Sequence, residues 1–376
     1  MLIALNWLRD YLPAELADSL LSDVDALAKR LTLMGLEVEG RETYESIPGG
    51  LEGVVVGFVQ AVEPHPDADK LRVTTVDVGA ASPEPLQIVC GAPNVAQGQY
   101  VPVALVGTTL YPKGGEPLTL KKAKLRGVAS MGMICAEDEL GLGESHDGIL
   151  VLATEADNPR GLKPGQPLHE LYPVYTDTVL EIGLTPNRAD AMSHYGVARD
   201  LAAQQGVRLA LPEKLHPEAN PLQPQGPCPV QVVVEDAVKC PLYSGAVLEG
   251  VQVGASPDWL KHRLESIGQR SINNVVDVTN FVLHGIGQPL HAFDRAAISS
   301  NQVVVKGLTE GSVFKALDEM ERKLSAADLM ITDGSRGLCM AGVMGGADSG
   351  VNEQTQAVFL ESAYFQPESI RTSSRR

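Results

Sequence analysis

The chain has 376 residues, of which 44% are hydrophobic and 20% are charged. At about 150 residues per domain, this length favours two or three globular domains over one. The formal net charge is -17 at pH 7, so the chain as a whole repels nucleic acid, and any RNA contact must come from a local basic patch. The simpler interpretation of this charge is that it keeps the protein in solution.

Five cysteines are scattered along the chain without a CxxC pair. This pattern disfavours a zinc ribbon and fits a reducing compartment. The first residues, MLIALNWLRDYL, contain an apolar run that is too short for a signal-peptide core or a membrane span. We therefore expect a cytoplasmic protein that does not associate with membranes.

The first forty residues predict a short strand followed by helices. Val24, Leu27 and Leu31 recur at helical spacing, and Gly35 can end that helix. From residue 51 to about 152 the pattern changes to short β-branched runs separated by turns. These runs are VVVGFV, KLRVTTVDVG, LQIVCG and YVPVALVG. Strands this short and regular predict a small closed barrel.

A helical pattern returns after the barrel and is expected to begin near Asp190 or Ser193, both good N-caps. Helical segments before and after the barrel suggest one domain into which the barrel is inserted. The proline-rich segment 206–230 then predicts a semi-rigid linker.

A third domain is predicted to follow the linker, opening with the strand VQVVVED. A helix comes next, with Ser256 as its N-cap, Pro257 at the first helical position and Gly268 just past its end. Strands and turns resume from Val303.

Lys121, Lys122, Lys124 and Arg126 place four cations within six residues of an acidic chain. Such a cluster can hold the phosphates of a nucleic acid. It can equally form a solvated edge strand whose lysines prevent aggregation. The residues alone favour this second interpretation.

Three motifs in this part of the chain resemble the tRNA-binding oligonucleotide-fold domain that also occurs in methionyl-tRNA synthetases and in free-standing tRNA-binding proteins. They are HPDADKL (65–71), CGAPNV (90–95) and KLRGVASMGMICAEDELG (124–141). The resemblance implies that the four cations contact tRNA. His65 and Asp67 could be read as a metal-binding pair, but Pro66 between them favours a turn.

The flanking segments resemble the bacterial phenylalanine–tRNA ligase β-subunit family, and this resemblance covers essentially the whole chain. Three motifs match its split domain: NWLRDYL (6–12), LTLMGLEVEG (31–40) and LTPNRADAMSHYGVARDLA (184–202). Three others match its editing domain: INNVVDVTNFVLHGIGQPLHAFD (272–294), AGVMGGADSGV (341–351) and FLESAYFQPESIR (359–371).

The resemblance implies an α+β multidomain fold, in which an oligonucleotide-binding β-barrel is inserted in a small split α+β domain and an incomplete mixed α/β editing domain follows. The expected boundaries are 1–40 with 152–205 for the split domain, 41–151 for the barrel, 206–230 for the linker and 231–376 for the editing domain. Family members are longer and carry their magnesium ligands beyond this sequence, so we interpret the chain as an N-terminal fragment.

The resemblance also implies the partners: tRNA(Phe), and an α subunit with which the full-length protein forms a heterotetramer of two α and two β subunits. ATP and Mg belong to the complete enzyme, and no cofactor is expected in this fragment. No P-loop, Rossmann glycine pattern or class II motif is visible, so we expect aminoacylation to reside elsewhere in the enzyme.

The editing reaction would hydrolyse mischarged Tyr-tRNA(Phe), and the resemblance assigns its pocket residues. Glu361 would accept a hydrogen bond from the phenol, and His291 would orient water or bind the terminal adenosine. Thr279 and Asn280, in the helical motif VVDVTNFVL, would line the pocket. The alternatives from pattern alone are a salt-bridged surface glutamate, a structural histidine and a solvated helix face shared by Asp277, Asn280 and His284.

Two further pocket assignments have equally simple alternatives. Arg270 would meet a tRNA phosphate or stabilise a nearby turn, and Gly345 would admit a ligand close to the backbone or serve only a tight turn. No nucleophile–base pair is evident, so we expect water to be activated by positioning, helped by the tRNA ribose hydroxyl.

The chain departs from the family pattern at two places. Glu319 replaces a glycine that often follows LD in a hairpin, and a threonine-containing motif expected after Arg375 and Arg376 is missing. The competing hypothesis for the whole chain is a non-catalytic tRNA-binding or structural module.

Overall fold

The computed structural model describes residues 1–112, 115–209 and 225–375. The fold is mixed α+β, as the sequence predicts. Most of the predicted proline-rich linker, and Arg376, lie outside the described residues. The chain forms two compact units: the first joins Met1–Glu42 to Thr178–Arg376, and the second is Thr43–Asp177. None of the helices in the described ranges has the length and apolar character needed to cross a membrane.

The α-helices are, in chain order, α1 (Leu5–Arg9), α2 (Ala14–Leu21), α3 (Val24–Leu33), α4 (His194–Gln204), α5 (Asp258–Ser266), α6 (Asn274–Ile286) and α7 (Pro367–Ser373). Single 3₁₀ turns lie at Gly79–Ala81, Leu168–Glu170, Ala189–Ala191 and Arg295–Ala297. The hydroxyl of Ser193 accepts the Gly196 amide at 3.0 Å, which confirms the second of the two predicted starts for α4. Gly35 follows α3 with a positive φ of 84°, as expected for a residue that ends a helix.

The predicted cap of α5 is wrong. Pro257 is the N-cap, α5 begins at Asp258, and no side chain caps the helix. Ser256 is buried, and its hydroxyl donates to Asp277 Oδ2 at 2.5 Å. A buried carboxylate is costly to leave without donors, so Asp277 takes the hydroxyl that the pattern had assigned to the helix terminus.

The strands in the first half of the chain are β1 (Leu2–Ala4), β2 (Glu37–Glu45), β3 (Val54–Pro64), β4 (Arg72–Asp77), β5 (Leu86–Cys90), β6 (Gln99–Leu105), β7 (Thr109–Leu110), β8 (Leu118–Thr119), β9 (Ala123–Leu125), β10 (Val128–Ser130), β11 (Gly132–Ile134), β12 (Ala153–Thr154) and β13 (Thr176–Gly183). The remaining strands are β14 (Gln231–Val234), β15 (Leu242–Glu249), β16 (Leu290–Asp294), β17 (Gln302–Gly307), β18 (Val313–Lys315), β19 (Glu321–Lys323), β20 (Leu329–Thr332), β21 (Gly337–Met340), β22 (Met344–Gly345) and β23 (Ala357–Tyr364).

The second unit is built on one sheet of order β11-β6-β3-β4-β5, with β12 also paired to β6. The Met131 amide, just before β11, donates to the Gln87 carbonyl of β5 at 2.9 Å. The two ends of the sheet therefore approach each other, and the sheet is nearly closed into a barrel around buried side chains such as Val76, Ile88 and Val103.

The first unit contains a five-stranded sheet of order β14-β17-β20-β21-β22 and a three-stranded sheet of order β15-β23-β16. A second three-stranded sheet, β1-β13-β2, and the hairpin β18-β19 complete it. Phe293 on β16 and Phe359 on β23 are fully buried in a cluster with side chains of the five-stranded sheet. This cluster fixes the face of β23 from which Glu361 also projects, because residues two apart on a strand share a face.

Trp7 joins the N-terminal segment to the later helices of this unit. Its fully buried ring stacks on His194 of α4, with centroids 4.1 Å apart, and on Phe281 of α6, with centroids 4.8 Å apart. His194 Nε2 accepts the Ala4 amide at 3.1 Å, and Nδ1 donates to the His284 carbonyl at 2.8 Å. Burial lowers the pKa of His194 to about 3, so this bridging imidazole is neutral near pH 7.

Candidate functional site

The first unit contains a cavity of about 870 Å³. It lies between the end of the sheet β15-β23-β16, the β21–β22 region and α7. This volume lies in the range of small-molecule sites, which is roughly 300–1,000 Å³. Among the residues that line the cavity are His291, Leu317, Cys339, Gly345, Glu361 and Arg371. Three of the predicted pocket residues therefore come together here.

Glu361 and His291 lie directly opposite each other on the antiparallel strands β23 and β16. On its other side Glu361 faces Gly245 of β15, where an added Cβ would lie 2.2 Å from Phe359 Cζ. Glycine at this position leaves room for the Phe359 ring. Glu361 is 6% exposed, so the alternative of a salt-bridged surface glutamate is wrong.

The Glu361 carboxylate has a protein partner that the sequence did not indicate. Tyr243 on β15 donates its hydroxyl to Glu361 Oε2 at 2.6 Å. Burial raises the pKa of Glu361 to about 7, and the hydrogen bond from Tyr243 acts in the opposite direction. Burial and the neighbouring carboxylate raise the pKa of Tyr243, so the phenol keeps its proton and remains the donor.

His291 places a buried ring nitrogen in the same cavity as Glu361. Burial lowers its pKa to about 4, so the ring is neutral near pH 7. Nε2 is buried and has no hydrogen-bond partner among the described residues. Because a buried polar atom is normally paired, this nitrogen is available to a ligand or to water. The ring packs edge-on against Phe293, with centroids 4.4 Å apart, which restrains its orientation.

Gly345 on β22 approaches the imidazole closely. An added Cβ would lie 2.8 Å from His291 Cε1 and 2.9 Å from Leu317 Cδ1. The missing side chain at Gly345 therefore leaves room for the His291 ring, and the close approach of a ligand to this glycine stays a prediction.

The structure does not bring the other three predicted pocket residues to this cavity. Thr279 and Asn280 lie on α6, and Arg270 is an exposed residue of the segment before α6; none of them is among the residues lining the cavity. The Thr279 hydroxyl donates to the Val276 carbonyl at 2.7 Å, within its own helix. Their proposed roles stay predictions.

Asp277 differs from the interpretation of a solvated helix face. It is fully buried, and it accepts hydrogen bonds from the Ser256 and Ser271 hydroxyls, both at 2.5 Å, and from the Ile272 amide at 2.9 Å. Helical spacing could not reveal this, because the donors come from outside α6. The carboxylate fixes the segment around Ser271 and Ile272, beside Arg270, against the helix.

The four clustered cations lie on and beside the hairpin β9–β10 of the second unit, and all are exposed. Arg126 and Gly127 form its turn with positive φ values of 43° and 90°. None of the four cations forms an ion pair with a carboxylate in the described ranges. The hairpin thus presents free positive charge in an otherwise acidic chain.

His65 supports this hairpin and does not form a metal pair with Asp67. Its Nδ1 accepts the Asp67 amide at 3.0 Å, so Nε2 carries the proton and donates to the Leu125 carbonyl of β9 at 3.1 Å. The turn interpretation is confirmed. Within residues 1–112, 115–209 and 225–375, no three His, Cys, Asp or Glu side chains are grouped so that they could hold a metal ion.

Comparisons with known proteins define the class of protein to which this arrangement belongs. Residues 54–161 match the family described as "Putative tRNA binding domain", and residues 239–376 match the B3/4 domain family. The first match contains the barrel with its basic hairpin, and the second contains the cavity with Glu361 and His291. This combination of matches points to proteins of the aminoacyl-tRNA synthetase class.

Curated relatives match the whole length of the chain. The chain is 50% identical over 380 residues to the phenylalanine–tRNA ligase beta subunit of Bacteroides thetaiotaomicron, and 45% identical over 376 residues to that of Oleidesulfovibrio alaskensis. Each match covers 100% of this chain and 44% of the relative. Over its whole length, the chain is a homologue of phenylalanine–tRNA ligase beta subunits, and it spans about 44% of their length.

Solved structures give partial matches. An N-terminal fragment of the phenylalanyl-tRNA synthetase beta-subunit from Pyrococcus horikoshii is 17% identical, with a TM-score of 0.31, covering 52% of this chain and 58% of that one. A MetRS related protein from the same organism is 23% identical, with a TM-score of 0.21, covering 30% of this chain and 85% of that one.

Proposed function

We propose that this chain is the tRNA-binding and editing part of a phenylalanine–tRNA ligase β subunit, and that its cavity hydrolyses mischarged Tyr-tRNA(Phe). The observation that carries this proposal is the placement of Glu361 and His291 at opposite strand positions in one cavity. One is a buried carboxylate that can recognise a hydroxyl, and the other offers a buried nitrogen without a partner.

The chemical problem that such a site solves is tyrosine. A synthetic site shaped for phenylalanine cannot strongly exclude an analogue that only adds a hydroxyl, so a second site is needed. A site built to hydrogen-bond that hydroxyl rejects the analogue that lacks it, because its buried polar group would then remain unpaired. In this cavity Glu361 is that polar group, and the tyrosine phenol is the donor.

The hydrolysis needs a water molecule placed on the ester carbonyl carbon. The water oxygen forms the new bond to that carbon, the bond from carbon to the ribose oxygen breaks, and a water proton passes to the leaving ribose oxygen. His291 Nε2 can hold the water by a hydrogen bond, since the neutral ring either donates or accepts there according to its tautomer. Positioning by His291, helped by the neighbouring ribose hydroxyl, is the mode of activation that we propose.

Other parts of the chain would bind the tRNA portion of the substrate. We infer that the barrel of the second unit is an oligonucleotide-binding fold inserted in a split domain, that Lys121, Lys122, Lys124 and Arg126 bind tRNA phosphates, and that Arg270, Thr279 and Asn280 contact the acceptor end. In the complete enzyme, with two α and two β subunits, ATP and Mg would serve aminoacylation. The steps proposed for this cavity use its own side chains and the ribose hydroxyl of the substrate.

The direct test is hydrolysis of Tyr-tRNA(Phe) and Phe-tRNA(Phe) by this chain and by a chain extended past Arg376. We expect release of tyrosine well above the uncatalysed rate and little release of phenylalanine, with the extended chain at least as active. Tight tRNA binding without hydrolysis by either chain would contradict the editing proposal and would favour the non-catalytic tRNA-binding module.

A further inference from the structure

Tyr243 and Glu361 form a buried pair on neighbouring strands. Tyr243 is two residues before Gly245, the direct partner of Glu361, so both side chains project from the same face of the sheet. The Tyr243 ring packs against the buried cluster that contains Phe293 and Phe359, while its hydroxyl reaches Glu361 Oε2 at 2.6 Å. Packing therefore holds the Tyr243 ring in place, and the hydroxyl donates its hydrogen bond to the Glu361 carboxylate.

The hydrogen bond from Tyr243 engages only one of the two carboxylate oxygens of Glu361. An ionised carboxylate offers about four acceptor sites on two oxygens. Tyr243 occupies Oε2, whereas Oε1 has no hydrogen-bond partner among the described residues. Glu361 also lines the cavity. The second oxygen can therefore accept a hydrogen bond from a molecule bound there.

We propose that Tyr243 is a positioning residue, which holds Glu361 by Oε2 so that Oε1 is presented to the hydroxyl of a tyrosyl ligand. This inference rests on the proposed editing function and adds to it the residue on which the selectivity for tyrosine depends. Tyr243 itself touches no reacting atom. It acts only through the carboxylate.

Electrostatics give a reason for this arrangement. Arg371 of α7 lines the same cavity but is not among the groups that shift the pKa of Glu361. The titratable groups next to Glu361 are Tyr243 and Cys240 on one side, His291 on β16 and Cys339 on β21. Burial raises the pKa of both thiols, that of Cys240 to about 11, and burial lowers that of His291, so none of these groups carries charge near pH 7. The Tyr243 hydroxyl is thus the group that stabilises the ionised, accepting form of Glu361 against burial.

The test uses Tyr243→Phe in the full chain, which keeps the ring and removes only the hydroxyl. Tyr175→Phe is the matched control, because Tyr175 makes a similar bond to Asp177 Oδ2, at 2.8 Å, in the second unit. The first measurement is the carboxyl ¹³C titration of Glu361, assigned with Glu361→Gln and made without ligand. The second is calorimetric titration of L-tyrosine and L-phenylalanine between pH 6 and about 8.5, below the usual phenol pKa.

We expect Tyr243→Phe to shift the Glu361 titration upward by about one pH unit, because the accepting form loses its internal donor. The preference for tyrosine over phenylalanine should fall about tenfold at pH 7 and recover partly at the higher pH, as more of the carboxyl ionises. Tyr175→Phe should match wild type in both measurements.

The outcomes separate the two proposals. If wild type prefers tyrosine and Tyr243→Phe keeps both this preference and the wild-type titration, the role of Tyr243 is refuted and the editing proposal stands. If wild type shows no preference for tyrosine, the editing proposal fails and the role of Tyr243 fails with it. An equal loss of tyrosine and phenylalanine affinity in Tyr243→Phe would show a merely structural role and would also overturn the inference.

Discussion

His291 and Glu361 occupy directly opposite positions on β16 and β23, and both side chains reach the same cavity. The pairing places a neutral imidazole beside a carboxyl group whose pKa burial raises to about 7. Neither residue is replaceable by its neighbour on the strand, because adjacent positions project to the other face. The position of the His291 ring requires a residue without a side chain at Gly345, which borders it.

Gly345→Ala should disrupt this arrangement. The new Cβ would lie 2.8 Å from His291 Cε1, so the imidazole must move, and inserting one methyl into a packed site typically costs about 1–3 kcal/mol. We expect the affinity for tyrosine to fall about tenfold, measured by calorimetry. Gly254→Ala is the control, since no atom lies within 4 Å of its Cβ position. Wild-type binding by Gly345→Ala would show that His291 need not be held in place.

Replacing Lys121, Lys122, Lys124 and Arg126 with alanine should weaken tRNA binding and flatten its salt dependence. Each phosphate contact releases counterions, so the slope of log K against log salt should shrink by roughly three units for four lost contacts. Filter binding of tRNA(Phe) over a series of KCl concentrations measures this slope.

The control for this variant removes the same charge from cations that already have a carboxylate partner. Lys239, Lys261, Lys315 and Arg41 pair with Asp236, Asp258, Glu319 and Asp25, so their replacement should leave the slope nearly unchanged. Equal changes in both variants would mean that net charge, and not the hairpin, controls tRNA binding.

The buried imidazole of His194 should make stability depend on pH. Its folded pKa of about 3 lies below the unfolded value near 6.5, so its stabilising effect is complete above pH 6.5 and is lost as pH falls toward the folded pKa. The destabilisation caused by His194→Asn should therefore be largest at pH 7 and smaller by up to about 2 kcal/mol at pH 5. Urea unfolding at each pH measures it.

Comparing wild type with His194→Asn at each pH separates the contribution of His194 from that of other titrating groups. His291 has a lowered pKa and acts in the same direction, whereas Glu361 has a raised pKa and acts in the opposite one. His169→Asn, at an exposed histidine, serves as the control. A His194→Asn penalty that stays constant from pH 7 to pH 5 would contradict a neutral, bridging imidazole.

Glu319 adopts a backbone conformation that glycine adopts far more readily. Its φ is 64°, a left-handed conformation that strains an L residue, and it forms an exposed ion pair with Lys315. Relief of this strain is worth about 1–2 kcal/mol, whereas an exposed ion pair contributes little. Glu319→Gly should raise the free energy of unfolding by about 1 kcal/mol.

The matched variant is Glu321→Gly on β19 of the same hairpin, where the backbone is extended. Glycine in a strand loses conformational freedom and should lower the free energy of unfolding by about 0.5–1 kcal/mol. Destabilisation of similar size in both variants would mean that the Glu319 backbone carries no relievable strain.

The parts of the fold that sequence could predict depend on local rules. The barrel strands, the Ser193 cap and the helix containing Thr279 follow from periodicity and capping, which act over a few residues. Ser256 shows where these rules end: its hydroxyl could accept a backbone amide of the following helix or donate to a side chain, and it donates to a buried carboxylate 21 residues away. Nothing in the local pattern marked Asp277 as buried.

The candidate site shows the same division. Glu361 and His291 were predicted from family resemblance, whereas pattern alone left Glu361 as a surface glutamate. Tyr243 was missed because its bond spans 118 residues and depends on the pairing of β15 with β23. An alternating strand in which Tyr243 and Gly245 share one face was the available signal, but it does not identify the partner strand.

The central claim is that Glu361 distinguishes tyrosine from phenylalanine by accepting a hydrogen bond from the phenol, and calorimetric titration of both amino acids against wild type and Glu361→Ala tests it most directly. A hydrogen bond to a charged group is worth about 1.5–3 kcal/mol, so Glu361→Ala should lose roughly ten- to a hundredfold in tyrosine affinity and almost none in phenylalanine affinity. Glu353→Ala, at an exposed glutamate, should bind both amino acids as wild type does. Equal weakening of tyrosine and phenylalanine binding by Glu361→Ala would show that this residue supports the structure of the cavity and does not recognise the hydroxyl.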